Sequence, residues 1–455
     1  MPPIFKLHPE LLSIIFEMAR DMTHKSSLLY EPGEVNTIAF EITVTRICSY
    51  FQRIALAAPR LWTSIHLHGA SHPKHIIDML TRSGECWLDI RIDMSMEDLQ
   101  MNAEQLDTMV SNFILHSRRW RSLCIAYSCE RRDHPMVMKL CSSPAPGLQQ
   151  LSISVDDVVG ADGAHINHSV DYPVIFRDGA PNLASIRLRG FAVQLFRPPF
   201  RYVVILHLDQ TKSVPIQYAT LKGMLTLSPH LAHVSIYGDI LGPGDWVNQP
   251  QRISLPALRS LRMYSISGET FSGVLQSIEA PNLESLTMKS LQDHDLRPLW
   301  DQPRQIRFEA LKTLNLIEFN FSAPTCRRIF ETFEHITAFS AIYASSVAWK
   351  PTIVNILTEG TVNWVPYVPW PKLKTLHLSS DFCYDDNEGI STLIAVRKAH
   401  GYPIHTLVFK TDPEEMEDTS DLQFEVGAEV EIRFCQDIIW PENSTHIDLD
   451  DVLFY

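Results

Sequence analysis

One short pattern recurs through most of this chain and limits the folds open to it: apolar-x-x-apolar-x-apolar, beginning at Leu148, Leu183, Val203, Leu231, Leu258, Leu283, Leu311, Leu373 and Ile404. Most copies are introduced by proline, as in Ala180-Pro-Asn-Leu-Ala-Ser-Ile-Arg-Leu188, Leu255-Pro-Ala-Leu-Arg-Ser-Leu-Arg-Met263, Ala280-Pro-Asn-Leu-Glu-Ser-Leu-Thr-Met288 and Trp370-Pro-Lys-Leu-Lys-Thr-Leu-His-Leu378. Alternation at the end of each copy is the period of a strand with one buried face. Between copies lie stretches at helical period: Phe271, Val274, Leu275 and Ile278, then 325–333 and 388–400. Strand followed by helix, repeated about every 20 to 37 residues, predicts an α/β solenoid with a parallel sheet over 146–410.

The flanking segments are read around that core. A transitional strand-helix region spans 66–145, with strands near Trp87–Ile92 and Ser122–Ile125 and an amphipathic helix carrying Leu106, Met109, Val110 and Phe113. Residues 411–455 make an end piece. Asp412 to Asp421 holds six acidic side chains and no base, the text of a solvated loop. Leu422, Phe424 and Val426, then Val430, Ile432 and Phe434, alternate on either side of Gly427 and predict a hairpin that caps the last repeat. Asp448 to Tyr455 is a mixed acidic and apolar tail.

Composition narrows the function classes. With 39 basic and 53 acidic side chains among 455 residues, the net charge of -14 argues against nucleic acid or an anionic membrane as partner. Eight unpaired-looking cysteines, the closest being Cys124, Cys129 and Cys141, read as reduced, buried thiols of a cytoplasmic or nuclear protein. The apolar run Leu11 to Phe16 is too short for a signal sequence or a membrane span. No G-x-S-x-G, P-loop, H-E-x-x-H or G-x-G-x-x-G sequence occurs, so no catalytic residue, cofactor or metal ligand is expected.

The first 65 residues differ in kind. Pro9 suits the first turn of a helix running to Arg20, in which only Ser13 and Glu17 interrupt the apolar residues between Leu11 and Ala19. Either the module buries that helix in its own core or a partner covers part of it; periodicity favours neither. A second helix is predicted from Val44, Ile47, Cys48, Phe51 and Ala55, with Thr43 as N-cap and Pro59 as stop. Residues 21–40 between them, with Pro32-Gly33, read as a long loop. Trp62 is placed to anchor the helices before a first strand.

Leu7-His-Pro-Glu-Leu-Leu-Ser-Ile-Ile-Phe16, then Ile47-Cys48, Phe51, Ile54-Ala55-Leu56 and Ala58-Pro-Arg-Leu-Trp62, resemble an F-box domain of the type abundant in fungal proteins, over about one seventh of the chain. With the repeats, the whole resembles leucine-rich-repeat F-box proteins. The resemblance implies docking on the Skp adaptor of a cullin-RING ubiquitin ligase through Pro9, Leu11, Leu12, Ile15, Phe16, Ile47, Cys48, Phe51 and Leu61. The asparagine usual three positions beyond the last apolar site of such repeats is absent, so no asparagine ladder is expected to tie the turns.

On the sheet, the residues alternating with the buried leucines should face outward and form a target-binding face: Arg187, Arg189, His207, Asp209, His233, Tyr237, Arg262, Tyr264, Lys289, His377 and Lys410. Bases outnumber acids among them, which points to an acidic or phosphorylated target. The expected function is therefore the substrate-recognition subunit of a Skp-cullin-F-box ligase, not itself an enzyme. The alternative is a repeat scaffold with no ligase.

Overall fold

The structure, a computed structural model, describes residues 3–27, 39–67, 73–94, 103–127, 139–155, 174–177, 179–211, 214–242, 244–246, 252–301, 308–342, 352–363, 368–379, 387–410 and 430–435. The chain divides into two compact units, Met1–Val203 and Val204–Tyr455.

The first unit opens with helices. After a 3-10 turn at Pro3–Lys6, helix α1 spans Pro9–Ser27. It runs seven residues past Arg20 into the segment expected to be loop. No proline or glycine stands between Arg20 and Pro32 to stop it. The rest of the expected loop, 28–38, lies outside the described residues. The predicted second helix is two: α2, Phe40–Ile47, and α3, Ser49–Leu56. Cys48 breaks them with an extended backbone (φ -162°, ψ 165°), and its Sγ accepts from the amide of Phe51 at 3.5 Å, capping α3. Ala39, not Thr43, sits at the N-cap of α2. The spacing of Val44, Phe51 and Ala55 looked continuous because both short helices turn those residues into one core.

Trp62, in the 3-10 turn Pro59–Trp62, does anchor this module. It is fully buried, its indole Nε1 donates to the carbonyl of Ala55 at 2.8 Å, and the Arg82 guanidinium lies 4.5 Å above its ring. Strand-helix units follow at once: β1 Ser64–Leu67, α4 Pro73–Arg82, β2 Leu88–Met94, α5 Ala103–Leu115, β3 Trp120–Tyr127, β4 Gln150–Val155, β5 Ser185–Gly190 and α6 Ala192–Leu195. Strands β1 to β5 pair in chain order, all parallel. The region read as transitional is thus built like the repeats.

The second unit continues the same plan with β6 Ile205–Asp209, α7 Tyr218–Thr226, β7 His233–Tyr237, β8 Ile253–Ser254, β9 Ser260–Tyr264, α8 Glu269–Ser277, β10 Ile278–Glu279, β11 Ser285–Lys289, α9 Arg297–Asp301 and β12 Thr313–Ile317. Then come α10 Ala323–Thr332, β13 Ala338–Ile342, α11 Thr352–Asn363, β14 Thr375–Ser379, α12 Asn387–Ala399, β15 Thr406–Lys410 and β16 Glu431–Cys435. Apart from β8 and β10, which pair with each other, these strands form one parallel sheet in chain order. Leu261, Leu286, Leu314, Phe339, Leu376 and Leu407 align in one buried row, and Met263, Met288, Leu316, Ala341, Leu378 and Phe409 in the next. Every copy of the apolar pattern is a strand. β13 is an additional one, since alanine at 341 closes its triplet with less apolar weight. β16 pairs in parallel with β15, so Glu431–Cys435 extend the sheet by one strand; residues 422–426, the other half of the expected hairpin, lie outside the described residues.

The turns are tied by the backbone. In successive repeats two neighbouring amides share one carbonyl of the turn before: Glu284 and Ser285 on Arg259 at 2.8 and 2.9 Å, Lys312 and Thr313 on Glu284 at 2.9 and 3.0 Å, Thr337 and Ala338 on Lys312 at 2.8 and 3.0 Å. Asparagines do contribute, from a position not anticipated. Asn182 and Asn282, in the Pro-Asn-Leu entries to β5 and β11, donate to the carbonyls of Pro146 and Pro256 at 2.7 and 2.8 Å. Strands also leave the sheet alike: Gly238, Ser290 and Glu318 have φ of 83°, 63° and 52°, and their amides donate to the last residues of the next strands, Tyr264, Ile317 and Ile342. For Ser290 and Glu318 that conformation costs about 1 kcal/mol relative to glycine.

A guanidinium ties one turn of the repeats together from inside. Arg397 of α12 is fully buried and donates to three carbonyls, Tyr402 at 3.2 Å, Pro369 at 3.0 Å and Trp370 at 2.8 Å. Burial lowers its pKa to about 10, which still leaves it charged at neutral pH. Trp370, with φ 45°, is held at the turn these bonds close.

Candidate functional site

Two kinds of surface stand out, an apolar helix side in the first unit and a polar sheet face in each unit. In the first, α1 has two apolar sides. Leu12 and Phe16 turn inward, with the Phe16 ring edge-on to Phe51 at 5.2 Å, over a core of Val44, Ile54, Ala55, Leu61 and Trp62. Leu11, Ile14, Ile15, Met18 and Met22, at i, i+3, i+4, i+7 and i+11, form a second stripe that is 51, 51, 42, 61 and 71% exposed. Ile47, at the end of α2, is 59% exposed. A run of large side chains left in water at helical spacing is the mark of a docking face.

This geometry divides the residues named for adaptor binding. Pro9, Leu11, Ile15 and Ile47 are exposed, Cys48 is half-buried, and Leu12, Phe16, Phe51 and Leu61 hold the module together. The sequence does not single out Ile14, Met18 and Met22: it shows that the helix is rich in apolar residues, interrupted only at Ser13 and Glu17 between Leu11 and Ala19, but not which side faces inward. Behind the stripe, Arg20 donates to the Arg60 carbonyl, to Thr63 Oγ1 at 3.2 Å and to Asp21 at 2.6 Å. Glu41 of α2 is buried, and its Oε2 has no hydrogen-bond partner among the described residues. Burial pushes its carboxyl pKa up, against the opposing pull of its own backbone amide and of Arg20.

The second surface is the sheet face opposite the leucine rows. In the second unit the register sets His207, Ser235, Arg262, Thr287, Asn315, Ser340 and His377 side by side across β6 to β14. Arg262 Nε donates to Ser235 Oγ at 3.1 Å and Asn315 Nδ2 to Thr287 Oγ1 at 3.0 Å. Two residues further along, on the same face, Tyr237 and Tyr264 stack at 4.4 Å. Lys289 Nζ lies 3.5 Å from Glu318. In the first unit the matching row is His66, Arg91, Cys124, Ser152 and Arg187, with Arg189 beside Ser154 in the next.

The expectation of an open face needs correction. Arg189, His233, Tyr237, Tyr264, Lys289 and His377 are half-buried, whereas Arg187, His207, Asp209 and Arg262 are closed from solvent at 3, 2, 0 and 0%. The period of two places them on the right side of the sheet but says nothing of what lies over it. Charge is also altered. Burial depresses the imidazole pKa of His377, and burial together with Arg259 that of His233, so both are neutral at neutral pH. The surplus of bases in the sequence therefore overstates the positive charge of this face. Ser340 Oγ and His377 Nδ1, on register-paired residues, have no hydrogen-bond partner among the described residues.

Among the described residues no three His, Cys, Asp or Glu side chains are grouped to hold a metal ion, and no helix is long and apolar enough to cross a membrane. Cys141 is buried and Cys124 half-buried, and neither is in a disulfide among the described residues; Cys129 lies outside them. The architecture is α/β, an open parallel sheet of strand-helix repeats within each unit, as a solenoid-like fold requires. The chain matches no known family model, and no curated protein matches it.

Proposed function

We propose that this protein is the substrate-recognition subunit of a Skp-cullin-F-box ubiquitin ligase. Its opening helices are an F-box that docks on the Skp adaptor, and its strand-helix units are degenerate leucine-rich repeats that bind a target. The observation that carries this reading is the second apolar stripe of α1. Leu11, Ile14, Ile15, Met18 and Met22 stay in water although the module already has a packed core on the other side. Covering several such side chains is worth about 1.5 to 3 kcal/mol each, enough for a stable complex from a handful of anchors. The subunit itself catalyses nothing; it raises the concentration of the target near the ligase.

Target recognition falls to the polar sheet faces, with the half-buried Arg189 in the first unit, the half-buried His233, Tyr237, Tyr264, Lys289 and His377 in the second, and acidic or phosphorylated groups on the target. Co-expression of the full chain with a Skp-type adaptor tests the first half. A stoichiometric complex is expected, and a chain that purifies alone would favour the scaffold without a ligase.

A further inference from the structure

The polar side of the sheet is open in the first unit and closed in the second. His66, Arg91, Cys124 and Ser152 stand side by side across β1 to β4, and all four are half-buried. So are Asp93, Ala126, Ser154 and Arg189 in the next row of that side, across β2 to β5. In the second unit His207, Ser235, Arg262, Thr287 and Ser340 are shut from solvent, and the half-buried His377 is neutral. A charged group of a partner is therefore met on the first unit's face.

That face is positive in an acidic chain. Asp89 is taken by Arg121, whose Nε donates to its Oδ1 at 2.9 Å and whose Nη2 donates to its Oδ2. Along β2 to β5 this leaves Arg91, Arg187 and Arg189 against Asp93, within a chain of net charge -14. Arg91 Nε has no hydrogen-bond partner among the described residues. A guanidinium edge of this kind is completed by a carboxylate or a phosphate, whose paired oxygens match its fork. Between Arg91 on β2 and Arg189 on β5, Cys124, Ala126, Ser152 and Ser154 make a low floor three strand steps, about 14 Å, across. An extended chain fits over side chains so small. Because β2, β3 and β4 are paired on both sides, such a chain cannot join the sheet as a further strand and is held by side chains alone.

We infer that the sheet face of the first unit holds an extended, anionic segment of a partner protein, with Arg91 and Arg189 gripping its acidic side chains from either side of the small-residue floor. That this partner is the target of a ligase rests on the proposed function; the binding of the segment does not.

Fluorescence anisotropy of a labelled short peptide of alternating Asp and Gly, titrated with the full-length protein in the absence of adaptor, tests the inference. Two further peptides carry phosphoserine or Asn in place of Asp. Saturable binding of the Asp or the phosphoserine peptide is expected, the tighter of the two naming the source of the anion, and no binding of the Asn peptide. Arg91→Gln and Arg189→Gln should each weaken binding at least about fivefold, whereas Lys372→Gln, which removes an exposed base of the second unit, should change it by less than about twofold. Arg91→Lys keeps the charge without the fork and should fall between wild type and Arg91→Gln. Failure of both anionic peptides to bind, an Asn peptide bound as tightly, or equal affinity in wild type, Arg91→Gln and Arg189→Gln would overturn the inference. Adaptor capture is read separately on the same chain, and its absence with peptide binding intact would refute the ligase alone.

Discussion

Asn282 donates from Nδ2 to the carbonyl of Pro256 at 2.8 Å, fastening the entry to one strand onto the turn before it. Asn182 does the same to Pro146 in the other unit. Repeats of this kind are stabilised by nearest-neighbour ties, and these two asparagines supply from before the strand what an asparagine ladder supplies from after it. Asn282→Ala should therefore lower stability by about 1 kcal/mol, the net worth of one such bond, and Asn282→Asp by at least as much because the donor becomes a second acceptor. Urea unfolding of the full chain checks both, and equality with wild type would show that the backbone ladder alone sets the spacing.

Arg397 predicts a larger effect. Its three carbonyl acceptors, on Pro369, Trp370 and Tyr402, lose their donors together in Arg397→Met, at about 3 kcal/mol or more. Arg397→Lys should recover only part of this, because an ammonium cannot reproduce the planar fork. Thermal unfolding should rank wild type above Lys above Met; a Lys variant as stable as wild type would mean that charge, not geometry, is what the site needs.

Much of this fold is legible in the sequence, and the reason is energetic. Leu258, Leu261 and Met263, or Leu373, Leu376 and Leu378, are a strand's buried face written out, and burial of apolar area dominates what such a segment does. Where the signal is weaker the reading fails: Ala341 conceals β13, and Cys48 hides a helix break that only capping geometry shows. Polar ties such as Arg397 and Asn282 depend on which carbonyls a turn presents, and no local pattern encodes that. At the candidate sites, the apolar wealth of α1 was plain but its inner and outer sides were not. Arg187 and Arg262 were assigned the correct face and the wrong exposure, because what covers a face is a tertiary matter.

Glu41 makes the helical module sensitive to pH. Its raised pKa means the folded state favours the protonated acid, so this contribution to stability is present below the ordinary carboxylate pKa and is lost as pH rises through the raised value. Glu41→Gln should then stabilise the chain at pH 7, by about 1 kcal/mol or more, and confer little at pH 4. Melting temperatures of the two chains between pH 4 and 8 give the test. A pH-independent difference would mean that the carboxyl is not titrating in place.

His377 has the opposite sign. Its depressed pKa means the unfolded chain takes up a proton first, so stability present above about pH 6.5 is lost as pH falls toward the folded value. Replacement by Gln should flatten the decline between pH 7 and 5. His233 contributes in the same direction, so the slope is reduced and not abolished. An identical pH profile in His377→Gln would contradict the burial seen for this side chain.

The central claim concerns the outer stripe of α1, and calorimetric titration of purified Skp-type adaptor into the full-length protein tests it most directly. Leu11→Ser/Ile15→Ser/Ile47→Ser removes three exposed anchors while Leu12, Phe16 and Phe51 keep the module folded. Saturable binding is expected of the wild type and a loss of at least about a hundredfold in the triple variant, since a few central anchors carry most of such an interface. No binding by the wild type, or equal binding by both at unchanged melting temperature, would contradict it.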